Sequence, residues 1–246
     1  MELKRAIPFA LLVLLASCGK DQWDDCITST GAVRQEERTV EGFHTVVLTD
    51  RVDLVFEHRA GNSVGVEAGL NLIGQVGTEV RDSVLYVSNN NRCNWVRSFK
   101  PRIIVKVPID AVRKLELSGT GNVSATDTIR RNSFFILQRG AEGSVVLPVA
   151  VDELIVSLHT GSGDVTVTGR CNANAYLFSG IMSPIDASGM RCWNMNVNNS
   201  GVSDIRCEAD GHLDVGINGI GDVYYGGSPN GITTNGTGSG QLIRVD

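Results

Sequence analysis

The sequence predicts an all-β chain wound as a parallel β-helix, a solenoid of about 20 residues per coil. Three observations predict it. A glycine-centred phrase returns through the second half, as in Ser118-Gly119-Thr120-Gly121-Asn122-Val123 and Thr160-Gly161-Ser162-Gly163-Asp164-Val165. The aliphatic residues closing these phrases stand at 123, 145, 165, 185, 205, 223 and 242, in steps of 22, 20, 20, 20, 18 and 19. Between the phrases apolar and polar residues alternate, and beyond the N-terminal segment no ten-residue stretch carries a helical stripe. A hairpin meander also fits short strands, but turn chemistry of one kind at one phase favours stacked coils.

The chain opens with a positive pair, Lys4 and Arg5, then a largely apolar run from Ile7 to Ala16 and small residues before Cys18. Residues 1–17 therefore read as a secretory signal, too short to stay in a bilayer as a spanning helix. Leu15-Ala16-Ser17-Cys18 resembles the bacterial lipobox, and the resemblance implies lipidation of Cys18, where several acyl chains give a stable membrane anchor. An ordinary cleaved signal is the plain alternative. Residues 18–32 form an acidic tether whose Asp21, Asp24 and Asp25 resemble the export signal of surface lipoproteins in Bacteroidetes. That implies an outer-membrane lipoprotein exposed at the cell surface, with the periplasmic leaflet as the alternative.

The folded domain is expected over 33–246, with irregular N-terminal coils at 33–117 and the glycine-phrase repeats at 118–246. In the first part Val52, Leu54 and Phe56 share a face, as do Val64, Val66 and Ala68, then Leu85 and Val87, then Ile103, Val105 and Val107. In the second part each repeat reads as two short strands, one following the phrase and one preceding the next. Gly119, Gly121, Gly161, Gly163, Gly201, Gly219, Gly221, Gly238 and Gly240 are expected at tight corners with φ > 0. The Asp, Asn or Ser after them is expected to bond the backbone of its own turn. Gly140-Ala141-Glu142-Gly143, with one extra residue, and Met182-Ser183-Pro184, without the second glycine, depart from the pattern.

Glu41-Gly42-Phe43, Val52-Asp53-Leu54-Val55-Phe56, Val66-Glu67-Ala68-Gly69-Leu70-Asn71-Leu72 and the serial Ser-Gly-x-Gly-Asp-Val phrases carry a family resemblance. Asp222-Val223-Tyr224-Tyr225-Gly226-Gly227-Ser228-Pro229 completes it. Over 33–246 the chain resembles bacterial secreted proteins known as putative autotransporter adhesins with a head GIN domain. The resemblance implies a right-handed parallel β-helix, lipoprotein or secreted status and an adhesin role, with no catalytic residues to carry over.

The net charge of −5, without basic runs beyond the signal, argues against nucleic acid. Asp164, Asp204 and Asp222 share one phase, but Asn122 and Ser144 interrupt the series, so turn capping is a better reading than calcium. No cofactor or metal site is expected. A carbohydrate-active enzyme would need clustered carboxylates on an outward face, whereas the outward positions of the repeats read mostly as Thr, Asn and Ser. Trp23, Trp95 and Trp193 form no array for stacking sugars, and Asn194, Asn196, Asn198 and Asn199 suggest outward asparagine ladders. Asp82-Ser83-Val84 and Asp127-Thr128-Ile129 resemble short O-glycosylation acceptors.

In an oxidising compartment Cys26 and Cys93, outside the regular repeats, are expected to pair and hold the N-terminal segment. Cys171 with Cys192, one coil apart, is the rival pairing, and at least one of Cys171, Cys192 and Cys207 must stay a buried thiol. The expected function is a lipid-anchored, non-catalytic binding or adhesion module of the cell envelope with a glycan or protein ligand. The alternatives are a carbohydrate-active enzyme and a purely structural envelope protein.

Overall fold

The computed structural model describes residues 29–91, 100–180 and 182–245. Its strands are β1 (Val33–Thr39), β2 (Thr45–Leu48), β3 (Asp53–Glu57), β4 (Ser63–Gly69), β5 (Val76–Arg81), β6 (Val84–Asn89), β7 (Ile104–Pro108), β8 (Lys114–Leu117) and β9 (Val123–Ala125). They continue with β10 (Ile129–Ala141), β11 (Val145–Gly161), β12 (Val165–Ser179), β13 (Ile185–Asn199), β14 (Ile205–Ile217), β15 (Val223–Gly227), β16 (Gly231–Asn235) and β17 (Leu242–Arg244). Stacked parallel strands about 20 residues apart make a β-solenoid of about 6 turns.

The column of phrase-ending aliphatics is the spine of the fold. Leu54, Val123, Val145, Val165, Ile185, Ile205, Val223 and Leu242 are register partners in that order. All but the terminal Leu242 are buried. A second inward column runs Leu85, Val46, Leu115, Ile136, Val156, Leu177, Val197 and Val215. Each fully buried aliphatic side chain contributes about 1.5–3 kcal/mol. The two columns mark two faces of the coil, each with alternate residues inside.

The expected two strands per repeat are joined. β10 to β14 run 13 to 17 residues each, turning a corner without leaving the ladder. The corner shows as register shifts at Val151/Glu153, Cys171/Asn174 and Cys192/Asn194. The extra residue near Gly140 is absorbed the same way, by shifts after Gln138 and Arg139, with Gly140 at φ 86°.

The N-terminal coils do not stack in chain order. β2 lies between β6 and β8, and β3 lies between β7 and β9. The chain lays one coil with β2 and β3, coats its outer side with β6 and β7, then returns across it to lay β8 and β9 on the other side. Antiparallel strands close this end, with β4 between β1 and β7, and β5 against β6. Asp82 and Ser83, at φ 51° and 62°, make the two-residue hairpin between β5 and β6. The edge strand β1 carries Arg34, Glu36, Glu37 and Arg38, charges that discourage another strand from adding. Arg38 also ties the cap together by donating to the carbonyls of Ile73 and Val76.

The glycine corners hold for a different reason from the expected one. Of the nine phrase glycines, only Gly161 has a left-handed φ, at 112°. Gly163 does not, so the expectation of φ > 0 there is corrected. What demands glycine is the coil underneath. A Cβ on Gly121 would overlap the carbonyl of Val52, on Gly143 that of Gly121, and on Gly163 that of Gly143. Gly119, Gly219, Gly221, Gly238 and Gly240 meet the carbonyls of Asp50, Gly201, Ser203, Gly219 and Gly221 in the same way. Gly201 stands at the same phase and is buried. Backbone rests directly on backbone at this corner.

The polar residue after the glycines bonds the next coil, not its own turn. Asp53 Oδ1 accepts from the Asn122 N–H at 2.9 Å, and Asn122 Oδ1 from the Ser144 N–H at 3.1 Å. Ser144 Oγ then donates to Asp164 Oδ1 at 2.6 Å. Beyond Pro184 the ladder resumes, Asp204 Oδ1 accepting from the Asp222 N–H at 3.0 Å and Asp222 Oδ1 from the Gln241 N–H at 2.8 Å. Pro184 breaks the series because it has neither an N–H to donate nor a side-chain acceptor. Inside the same corner buried Gln138, Ser179 and Asn199 bond the turn's own groups: Gln138 Nε2 donates to the Ala141 carbonyl, Ser179 Oγ to that of Ser183, and Asn199 Nδ2 to that of Ser203.

Gly143→Ala should lower stability by about 2 kcal/mol, in the range of core overpacking. Gly74→Ala, where a Cβ meets nothing within 4 Å, should leave the melting temperature unchanged. Thermal unfolding of the two variants checks the stacking argument, and equal melting temperatures contradict it.

At the interleaved end, exposed His58 bonds Asp127 at 3.0 Å and faces Asp110 at 3.5 Å, spanning the loops after β3, β7 and β9. The hydrogen bond to Asp127, then the Asp110 charge, raise its pKa above 6.5. The protonated form is the one favoured by folding, so this contribution is complete below 6.5 and fades as pH rises through the raised folded value. Wild type should lose a small, salt-sensitive part of its stability on that rise, and His58→Ala should lack this component in denaturant titrations. Identical pH profiles would remove the clamp.

Candidate binding surfaces

Outward residues follow the same registers as inward ones, so the second face of the coil can be read column by column. Phe135, Ile155 and Tyr176 are partners in one column, and Leu137, Ser157 and Phe178 in the next. The strip is therefore apolar and aromatic over three coils, correcting the expectation of mostly Thr, Asn and Ser. Tyr176 is 37% exposed and the other apolar members are half-buried against each other. His159 packs against Phe178 with ring centroids 5.2 Å apart, and its Nε2 lies 3.0 Å from Ser157 Oγ. Gly180 leaves room for the Phe178 ring to lie along the surface, since a Cβ there would meet the ring edge at 3.2 Å.

On the next coils the same columns turn to amides. Tyr176 is followed by Asn196 and Asp214, and Phe178 by Asn198. Asn194 Nδ2 donates to Asn174 Oδ1 at 3.1 Å, Asn196 Nδ2 to Asp214 Oδ2 at 3.1 Å, and Ser200 Oγ to Asn198 Oδ1 at 2.9 Å. The outward asparagine ladder is present through Asn194, Asn196 and Asn198. Asn199 instead points inward, fully buried, where it bonds the glycine corner. Trp193 stands at the corner, 53% exposed, over Gly211.

A second feature lies at the break in the corner ladder. A cleft of about 640 Å³ is lined by Asp164, Thr166, Pro184, Asp186, Asp204 and Arg206, among others. Each carboxylate already has one oxygen engaged: Asp164 by Ser144 Oγ, Asp186 by Ser188, and Asp204 by the Asp222 N–H. Arg206 lies over the Tyr224 ring at 4.7 Å. Among the described residues no group of three or more His, Cys, Asp or Glu is placed to hold a metal ion.

Cys18, Cys26, Cys93, Trp23 and Trp95 fall outside the described residues. Cys171, Cys192 and Cys207 are buried free thiols. Cys171 and Cys192 are register partners on adjacent strands, and their Sγ atoms donate to the carbonyls of Asn174 and Asn194. The neighbouring Cys171 thiol, with burial, pushes Cys192 up, and burial alone pushes Cys207 up to about 12. Native Cys207 should resist iodoacetamide at pH 8 and react within minutes in denaturant, as read by mass spectrometry. Comparable labelling in both conditions would contradict its burial.

Known structures share this architecture. A putative adhesin from Bacteroides fragilis superposes with TM-score 0.78 at 22% identity, covering 87% of this chain and 97% of its own. A putative adhesin from Parabacteroides distasonis gives 0.67 at 18% identity, covering 87% and 98%. A putative lipid binding protein from the same species gives 0.65 at 20% identity, covering 89% and 98%. At these identities the likeness shows the fold. No curated protein matches the chain. A family model matches residues 42–229. The chain belongs to the family described as "putative auto-transporter adhesin, head GIN domain".

Proposed function

We propose that the protein is a non-catalytic adhesion module of the cell envelope, anchored in the outer membrane by lipid on Cys18 and binding its ligand through the second face of the solenoid. The observation that carries this reading is the outward strip of Phe135, Tyr176 and Phe178 beside ordered asparagines on a rigid sheet. Tyr176 is exposed and the half-buried rings beside it leave apolar surface open across successive coils, which supports contact with something outside the chain. The adhesin family and the lipobox-like Leu15-Ala16-Ser17-Cys18 support the location. A Cys26–Cys93 disulfide would fasten the tether to the first coils.

The cleft at Pro184 is where a carbohydrate-active enzyme would have to work, since it gathers Asp164, Asp186, Asp204 and Arg206. The ladder bonds of Asp164 and Asp204 give two of those carboxylates a structural role, which favours the binding module.

Cys18→Ala should release the protein from the membrane fraction. In intact cells wild type should be cleaved by added protease, and cell adherence should fall when Tyr176 and Phe178 are both changed to Ala. Membrane retention of Cys18→Ala overturns the anchor, full protection from protease the surface location, and unchanged adherence the binding face.

A further inference from the structure

We infer that the second face recognises an uncharged glycan, laid across neighbouring coils with its sugar faces on the rings and its hydroxyls on the asparagines. This rests on the adhesion reading and names the chemistry of its ligand. Three observations lead to it.

The first is charge. The two ring columns from β10 to β13 present rings, aliphatics, a serine and amides, while charged side chains stand around them, with Lys114 paired to Glu116 on the N-terminal side, Asp214 on the C-terminal side and Glu153 in the neighbouring column that leads to Asn174 and Asn194. A charged partner would find no counter-charge within the two ring columns from β10 to β13. A neutral ligand loses nothing there.

The second is the pairing of chemistries. A pyranose has an apolar face of C–H groups and a rim of hydroxyls that both donate and accept. Tyr176 and Phe178 supply flat surface for the former. Each asparagine offers one acceptor and two donors. The bonds from Asn194 to Asn174 and from Asn196 to Asp214 use one donor on each, and they fix the amide orientation before any ligand arrives. The Asn194 and Asn196 oxygens and remaining N–H groups then face outward in a set array, so little side-chain freedom is lost on binding.

The third is size. Three coil spacings by two residue pairs along the strand give roughly 14 Å by 13 Å, on the order of 200 Å². A stable protein partner needs about 800 Å² on each side. A strip this small suits an oligosaccharide of a few sugars, whose repeated units match the repeat of the coils.

The test is affinity electrophoresis of the detergent-solubilised mature protein through gels holding neutral polymers (xyloglucan, mannan, dextran) or anionic ones (alginate, chondroitin sulfate). Retardation by at least one neutral polymer is expected, weakened about tenfold or more by Tyr176→Ala and by Phe178→Ala. Thr168→Ala, on the other face, should bind as wild type. Asn194→Ala, which removes an amide and no ring, should also weaken retardation. Thermal unfolding of each variant separates lost binding from lost fold. Retardation only in anionic gels, in none, or equally in all variants overturns the inference. If no glycan binds but adherence of whole cells still falls in the ring variants, the binding face stands and its ligand is a protein. Adherence untouched by those variants removes the binding face itself.

Discussion

The rest of the structure depends on the contact between one coil's carbonyl and the next coil's α-carbon at the glycine corner. Gly143 sits on Gly121 and Gly163 on Gly143, so the corner is a column of backbone with no side chain between layers. Along the strands, hydrogen bonds hold the layers about 4.8 Å apart. Backbone bonds continue between coils at the corner, as from the Glu142 N–H to the Gly119 carbonyl and from the Gly163 N–H to that of Ala141, and a β-carbon would prop these layers open. Removing it lets the aliphatic column at 123, 145 and 165 close and lets Asp53, Asn122 and Ser144 reach the coil above or below. Packing and polar bonding at this edge therefore share one geometric condition.

Much of this was legible in the sequence because it repeats. The step near 20 placed the inner column from Val123 to Leu242 correctly, since a residue that must meet its equivalent one layer away is pinned in phase. The reason for the glycines was misread. Short sequence patterns make glycine look like a dihedral requirement, while the demand here comes from atoms 20 residues away. The N-terminal winding order was illegible for a related reason. Alternation shows that β2 and β6 each have an inward face, but says nothing about which other strand lies on either side. Antiparallel capping by β4 and β5 decides that.

The apolar outward strip was missed although a signal was present. Phe134-Phe135-Ile136-Leu137, Leu154-Ile155-Val156 and Ala175-Tyr176-Leu177-Phe178 are continuous apolar runs at one phase of successive repeats. A strand that is apolar at every position has an apolar outer face, and three of them stacked make a patch. The reading of the outward positions as mostly Thr, Asn and Ser passed over these runs, because it followed the alternation seen elsewhere in the repeats. The asparagine ladder was recognised from composition, yet Asn199 was placed with its neighbours although its position parity matches the buried Val197.

The interleaved first coil changes how the molecule meets a pulling force. Load applied from the N-terminal side first reaches β1, an edge strand bonded on one side to β4. Peeling β1 does not free the next layer, because β2 and β3 are held between coils laid down after them. Continued pulling must slide those strands past neighbours on both sides, breaking many backbone bonds together in shear. A solenoid wound strictly in chain order would unravel from its end one coil at a time. By crossing its own first turn, this chain ties a hitch at its N-terminal end, so a load between that end and the far coils is carried by the barrel of the molecule and not by its outermost strand.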